Sequence, residues 1–561
     1  MSDFRVSSTT GEVEGVTFYF IESTAPDHVD PPFAANAANP QGLSPVPPDE
    51  AVQQIANLLI PQDDPEAEAS LVIMVHGFNN PRPNVLKFYE GALEALKADG
   101  TAIFGDRRRR VVCIGYRWPS ESIGQVLSSS FKALPILPLW LFGFACVVLL
   151  LRLIGAIAGW LHWEPDWLTL LFNLAWGLTL LAVALLAFIA VVILLRGIVY
   201  FRDIYRATNY GVPDLVEVVR QIDLEAVQLA DRLRKQDGIT RKRIALSFIG
   251  HSMGGLVVTN AIRVLSDVFD KAVIRTRLSG EARSGPAREA PDGEDLVTGK
   301  IGHVFTLMRF VLASPDVPAE TLLADRASFL ASSLRRFREA YLFSSEGDEV
   351  LRLISTTVNY FTFPTASRNY GYRLGNTEIL RSSFGAAPDQ EVLTTLRVGA
   401  KTLAQLSADT TRPDDDPANA AEVAGAFTYF DCTDYVDGPG RKGMLTEARN
   451  YKARNPTAHI PYYEHVKLLI QYAIGGKNRI DVHGGYFAAA GAVTQRLIYR
   501  LACLGFEETA KAYGGQATMV NECAEQQIRV MPSKRLEPKY HMPVEPMDTS
   551  RSGGSASESD R

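Results

Sequence analysis

The chain has 561 residues, 47% of them hydrophobic and 21% charged, which is enough to bury a large core and excludes a largely disordered protein. Its net charge of −6 leaves no basic footprint, so nucleic acid is not an expected partner. The 5 cysteines form no CxxC pair and are odd in number, which argues against a disulfide framework or a zinc signature and fits a reducing compartment.

The N-terminus, MSDFRVSSTTGEVEG, lacks an apolar h-region, so no secretory signal peptide is expected there. LVIMVHGF (71–78) and RVVCIGYRW (110–118) are short apolar runs of the kind that form buried strands. Between Leu134 and Leu195 the composition changes. Long uncharged stretches flank a short turn holding Trp160, Trp163, Glu164, Asp166 and Trp167. Apolar stretches of about 20 residues are long enough to cross a bilayer as helices, so residues 131–200 read as a two-span transmembrane hairpin with an aromatic belt at its far end. Arg152 would snorkel to the interface. Lys and Arg on both flanks, Arg107 to Arg110, Lys132, Arg196 and Arg202 among them, place both ends on the cytoplasmic face. The expectation is therefore a protein of the cell membrane, with the bilayer as a partner. Gly143, Gly155, Gly159 and Gly177 would allow a homo-oligomer to form through the hairpin.

After the hairpin, Leu215, Val218, Val219, Ile222, Ala226, Leu229 and Leu233 recur at helical spacing between Pro213 and Gly238, predicting an amphipathic helix. Four more apolar runs follow: 243–252, 305–314, 339–345 and 426–435. Strand, helix, strand in this order predicts an α/β fold with a doubly wound, mostly parallel sheet. The segments 278–301 and 407–425 are rich in Gly, Pro and charge and read as surface loops, and 532–561 as a disordered tail. The chain thus divides into 1–130, the hairpin 131–200, the remainder 201–531 and the tail. The stretch 355–425 has no assigned role.

The run 243–252 ends in Gly250-His251-Ser252-Met253-Gly254. This is G-x-S-x-G with a strand before it and a helix predicted after it. A sharp strand-to-helix turn exposes the serine Oγ, and Gly250 and Gly254 leave room for that turn, so Ser252 is the candidate nucleophile. A tetrahedral intermediate needs two preorganised amide donors. Met253 follows the nucleophile, and Phe78 follows Gly77 at the end of an earlier run, so their amides are the candidate oxyanion hole. His76 beside them is expected to shape the loop rather than transfer protons.

VHGFNN, YRWPS, GHSMGG, VLASPD and YLFSSEGDEVL occur in that order. Together they resemble the α/β-hydrolase superfamily, and more narrowly a family of bacterial serine hydrolases with an HGFN loop and a WPS segment. The resemblance covers roughly 70–118 and 200–355, with the hairpin as a large departure. It implies a Ser, acid, His order. Glu346, Asp348 and Glu349 follow the right strand, and Asp348 matches the family position; Asp316 is second, while Asp431 and Asp434 come late. For the base, His459, His465, His483 and His541 follow the last run, and the Gly-flanked His483 resembles the family's final histidine, with His459 next. The hairpin, inserted beside these loops, suggests long-acyl or lipid esters as substrates. A thioesterase or amidase, an inactive membrane-bound module and a channel built on the hairpin are the alternatives. No metal or organic cofactor is expected.

Overall fold

The computed structural model describes residues 4–9, 16–24, 43–100, 109–120, 200–269, 299–323, 329–356, 371–380, 389–410, 417–436, most of 451–474, 481–488 and 491–536, with Val183, Ala187 and Met547 besides. In chain order the strands are β1 (Phe4–Thr9), β2 (Val16–Ser23), β3 (Leu43–Val46), β4 (Glu68–Val75), β5 (Arg109–Arg117), β6 (Ile244–His251), β7 (Lys300–Ile301), β8 (Phe305–Ala313), β9 (Glu339–Ser344), β10 (Thr377–Ile379), β11 (Leu396–Val398), β12 (Lys401–Thr402), β13 (Phe427–Asp431) and β14 (Arg529–Met531). All but β10, β11 and β12 join one sheet, ordered β14-β13-β9-β8-β6-β4-β5-β2-β1-β3 with β7 beside β8. From β2 to β13 the neighbours run parallel. Antiparallel strands close both edges. The protein is therefore α/β with a mostly parallel mixed sheet.

Alternating side chains explain why this sheet is covered on both faces. Leu71, Ile73 and Val75 of β4 enter one core with the helices α1 (Pro48–Leu59), α3 (Val212–Asp237) and α4 (Met253–Phe269). Val72 and Met74 enter the other, with α2 (Arg82–Ala98) and α6 (Ala492–Leu504). A strand buried on both faces must be apolar at every position, which is how LVIMV reads. The predicted helix of 215–233 is α3. Its Pro213 lies in the first turn, and Gly238 ends it at φ +73, its N–H donating to the Arg234 carbonyl at 2.8 Å. A further helix, α5, spans Tyr462–Ile474.

Strands from both sides of residue 200 interleave: β4 lies between β5 and β6. After β5 the chain returns to the far side of β4, so the strand order reverses there. The carboxyl ends of β4 and β6 flank that reversal, the place where open α/β sheets bind ligands.

Several expectations need correction. The two-span hairpin and the cell-membrane location drawn from it do not stand: among the described residues no helix is long and apolar enough to cross a membrane. Residues 131–200, on which they rested, lie outside the described residues except for Val183, Ala187 and Tyr200. Apolar composition suggested the spans, but crossing requires one continuous helix of about 20 residues. The cytoplasmic orientation goes with them, and the glycines of the expected oligomer seam lie outside the described residues. Part of 407–425 is not loose: Pro417–Gly425 is a helix whose Val423 and Ala424 are buried. The tail is partly packed as well. Lys534–Leu536 forms a 3-10 turn, and the buried Met547 donates its N–H to the Arg241 carbonyl at 3.0 Å. Most of 278–301 lies outside the described residues, and its end forms β7. The unassigned stretch 355–425 holds the small antiparallel sheet β10-β11-β12.

Candidate active site

Ser252 stands between the last residue of β6 and the first of α4, at φ +54. A non-glycine residue in this left-handed region is strained and persists only where its surroundings over-determine it. Here the surroundings are backbone. The Ser252 N–H donates to the Ala313 carbonyl at 3.0 Å, and its carbonyl accepts from Gly255 and Asp316, each at 3.0 Å. The neighbouring glycines are required by close approach. A Cβ on Gly254 would lie 2.3 Å from the Val75 carbonyl oxygen, and one on Gly77 would lie 2.7 Å from the Ser252 Cβ. Gly254→Ala is accordingly expected to cost about 3 kcal/mol or more, since the obstacle is backbone that cannot rotate away. An unchanged urea midpoint for this variant would contradict the packing.

The structure brings Ser252, His483 and Asp348 together. His483 Nε2 is 2.8 Å from Ser252 Oγ, and His483 Nδ1 is 2.8 Å from Asp348 Oδ2. In the neutral imidazole these partners assign the tautomer: Nδ1–H donates to the carboxylate, and Nε2 accepts from the serine hydroxyl. Asp348 is fully buried, accepts from the Leu351 N–H at 3.0 Å and also accepts from the Ser314 hydroxyl. Burial raises its pKa, but the His483 partner outweighs this and holds the carboxyl below its usual range. Burial likewise pushes the His483 imidazolium down, yet the Asp348 charge and hydrogen bond, with Asp481 and Glu349 adding to them, raise it to about 9. An imidazole placed this way can take the serine proton and have the resulting cation stabilised from behind.

Met253 follows the serine directly, and Phe78 follows Gly77, which packs against Ser252. Phe78 lies on the loop after β4, and Met253 opens α4, whose N-terminus favours negative charge. Among the described residues neither amide donates to another backbone group. The Phe78 ring lies 6.4 Å from that of His483.

The other candidates are engaged elsewhere. Asp316 accepts from the Tyr200 hydroxyl at 2.6 Å and the Ser355 hydroxyl at 3.0 Å, and Arg373 pairs with it at 3.3 Å. Glu346 accepts from the Ile460 N–H at 2.7 Å and pairs with Lys452 at 3.0 Å. Glu349 is buried without a hydrogen bond to its carboxyl among the described residues, and burial, with the Asp348 charge, pushes it up to about 8. Asp431 and Asp434 both pair with Arg529. His465 is buried on α5, where burial lowers its pKa to about 3. His459 is half-buried and precedes α5, with no hydrogen bond to Ser252 or Asp348. His541 lies outside the described residues. His76 stacks on Trp118 at 5.2 Å, and its Nδ1 meets the Gly77 carbonyl. It shapes the loop. Among the described residues, no group of His, Cys, Asp and Glu side chains is arranged to hold a metal.

Three residues of the site were not legible in the sequence as parts of it. Ser314, at φ +46, donates to Asp348 and lies 3.3 Å from His483 Nδ1. His251 places its Nε2 2.9 Å from the His483 carbonyl oxygen and so fixes the loop that carries the imidazole. Asp481 accepts the Gly484 N–H at 2.7 Å, bracing the turn that carries His483. Their only sequence signal is position: Ser314 ends a strand beside the elbow, and His251 occupies a variable place in G-x-S-x-G. Comparison with protein-family models, curated proteins and solved structures finds no match to this chain.

Proposed function

We propose that this chain is a serine hydrolase of the α/β-hydrolase type that cleaves carboxylic esters through an acyl-enzyme intermediate. The observation that carries the reading is the unbroken relay from Ser252 through His483 to Asp348, at 2.8 Å per contact, on a strand-to-helix turn at the carboxyl end of a parallel sheet. The chain order Ser, Asp, His supports the fold-level part of the proposal, as does the set of motifs from VHGFNN to YLFSSEGDEVL.

In this reading Ser252 Oγ attacks the ester carbonyl while its proton passes to His483 Nε2. The carbonyl oxygen becomes an oxyanion facing the Phe78 and Met253 amides. Collapse of the intermediate breaks the bond to the alkoxy oxygen, which leaves as the alcohol with the proton from His483. Water then attacks the acyl-serine with His483 as base, releasing the acid and restoring Ser252. Asp348 holds the imidazole tautomer and the imidazolium throughout. The lipid preference first expected rested on the membrane hairpin and is set aside with it.

The test is labelling of the purified full chain with a fluorophosphonate probe, together with turnover of p-nitrophenyl acetate and butyrate, a thioester and an anilide. Labelling with fastest turnover of the esters is expected. Faster thioester or anilide cleavage would keep the serine and reassign the leaving group. Folded protein that is neither labelled nor active on any of them would remove the reading.

A further inference from the structure

We propose that Ser120 and Asp203 form a clasp that holds the Phe78 amide where substrate negative charge develops, which makes Asp203 a positioning residue of the oxyanion loop. The inference rests on the proposed hydrolase reading and deepens it.

Both side chains are fully buried. Ser120 closes the WPS segment just after β5, and Asp203 lies three residues after Tyr200, where the described chain resumes. The Ser120 hydroxyl donates to Asp203 Oδ2 at 3.0 Å. The Asn79 N–H reaches the same oxygen at 3.4 Å, and the Asn80 N–H reaches Ser120 Oγ at 3.3 Å. The two amides that follow Phe78 are therefore both tied to the clasp. The two amide contacts are at the long end of the hydrogen-bond range.

The backbone has a reason to need the clasp. Asn79 sits at φ +59, a strained conformation that depends on outside support. The Asn80 side-chain amide closes the same turn from within, donating to the Gly77 and Phe78 carbonyls at 3.3 and 3.2 Å. Tyr200, on the helical turn that carries Asp203, packs edge-on against the Phe78 ring at 5.5 Å and donates to Asp316. Asp316 in turn donates its amide to the Ser252 carbonyl at 3.0 Å. The segment from Tyr200 to Asp203 thus touches the loop after β4 twice and reaches the nucleophile turn through Asp316. Burial pushes the Asp203 carboxyl up to about 6, and Arg202, 3.3 Å from Oδ1, together with the Ser120 hydrogen bond, works against that rise.

An oxyanion donor acts in the transition state and little in substrate binding, so displacing it lowers kcat and leaves KM. The experiment uses the full chain with Asp203→Ala, Ser120→Ala and the milder Asp203→Asn. Each is assayed on p-nitrophenyl acetate and for binding of phenylboronic acid, whose boron takes up the serine oxygen and turns tetrahedral. For both alanine variants kcat is expected to fall about 10- to 100-fold with KM within about twofold. Boronate affinity should weaken in parallel, and Asp203→Asn should recover part of the loss, because its amide oxygen still accepts a hydrogen bond. A kcat and boronate affinity like the wild type's in folded variants would overturn the clasp, as would a loss confined to KM. If Asp203→Ala fails to fold, Ser120→Ala, a loss of one oxygen, decides by the same criteria. A wild-type chain unlabelled by fluorophosphonate would sink the hydrolase reading itself, whereas a labelled wild type with unaffected variants would sink only the clasp.

Discussion

Ser252→Ala is expected to abolish fluorophosphonate labelling and to lower ester turnover by on the order of 10⁵- to 10⁶-fold, the scale seen when a serine nucleophile is removed from an intact triad. The loss should come without a loss of fold. The turn at Ser252 is held by backbone hydrogen bonds to Ala313, Gly255 and Asp316, which an alanine keeps, and the substitution removes only the hydroxyl that bonds His483. Thermal unfolding measured beside the labelling separates the two effects. A variant that keeps its labelling would show that another residue reacts, and Ser252 would lose its role.

Asp348→Asn is expected to lower kcat by about 10⁴-fold, because an amide in place of the carboxylate can donate to Nδ1 and favours the wrong tautomer. The pH dependence adds a second readout. The neutral imidazole is the base, and the Asp348 partner raises His483 to about 9. Wild-type kcat/KM should therefore climb with pH well above the ordinary histidine value of 6.5, with its rising limb reaching toward 9. Without the carboxylate, burial dominates, and the limb should move to lower pH even as the maximum collapses. The same pair makes stability depend on pH. A histidine whose folded pKa is raised contributes stability in full below its unfolded value, near 6.5, and loses it as pH rises through about 9. For Asp348, whose folded pKa is lowered, the contribution is present above the unfolded carboxylate value and is lost as pH falls through the folded one. Denaturant midpoints measured from neutral to alkaline pH should fall in the wild type and fall less in Asp348→Asn. Parallel pH profiles for the two proteins, in rate and in midpoint, would contradict the pairing.

What can be read from the sequence depends on how far apart the interacting residues lie. Strands β4, β6 and β8 announce themselves because a strand covered on both faces must be apolar at each position, and α3 because its buried stripe repeats every turn. The early strands β1 and β2 passed unread, although VTFYFIES alternates Phe18 and Phe20 with Tyr19 and Ile21, all buried against two different cores. The helix Pro417–Gly425 was hidden because Asp, Pro and Ala in a row resemble a loop until packing gives the alanines something to cover.

By itself the sequence determined the α/β class, the parallel character of the sheet's centre and the turn at Ser252, since each follows from residues that are neighbours along the chain. It offered several carboxylates and histidines for the site; resemblance favoured Asp348, and resemblance together with a Gly-flanked loop favoured His483. Only the tertiary structure decided which groups meet: His483 lies 231 residues from Ser252 and 135 from Asp348. It also brought in Ser314 and His251, tied Asp203 to the loop after β4 and withdrew the membrane spans. Strand and turn patterns arise from local backbone and hydrophobic forces, which composition records. A hydrogen bond between distant side chains depends on how every intervening element packs, and no local pattern carries that information.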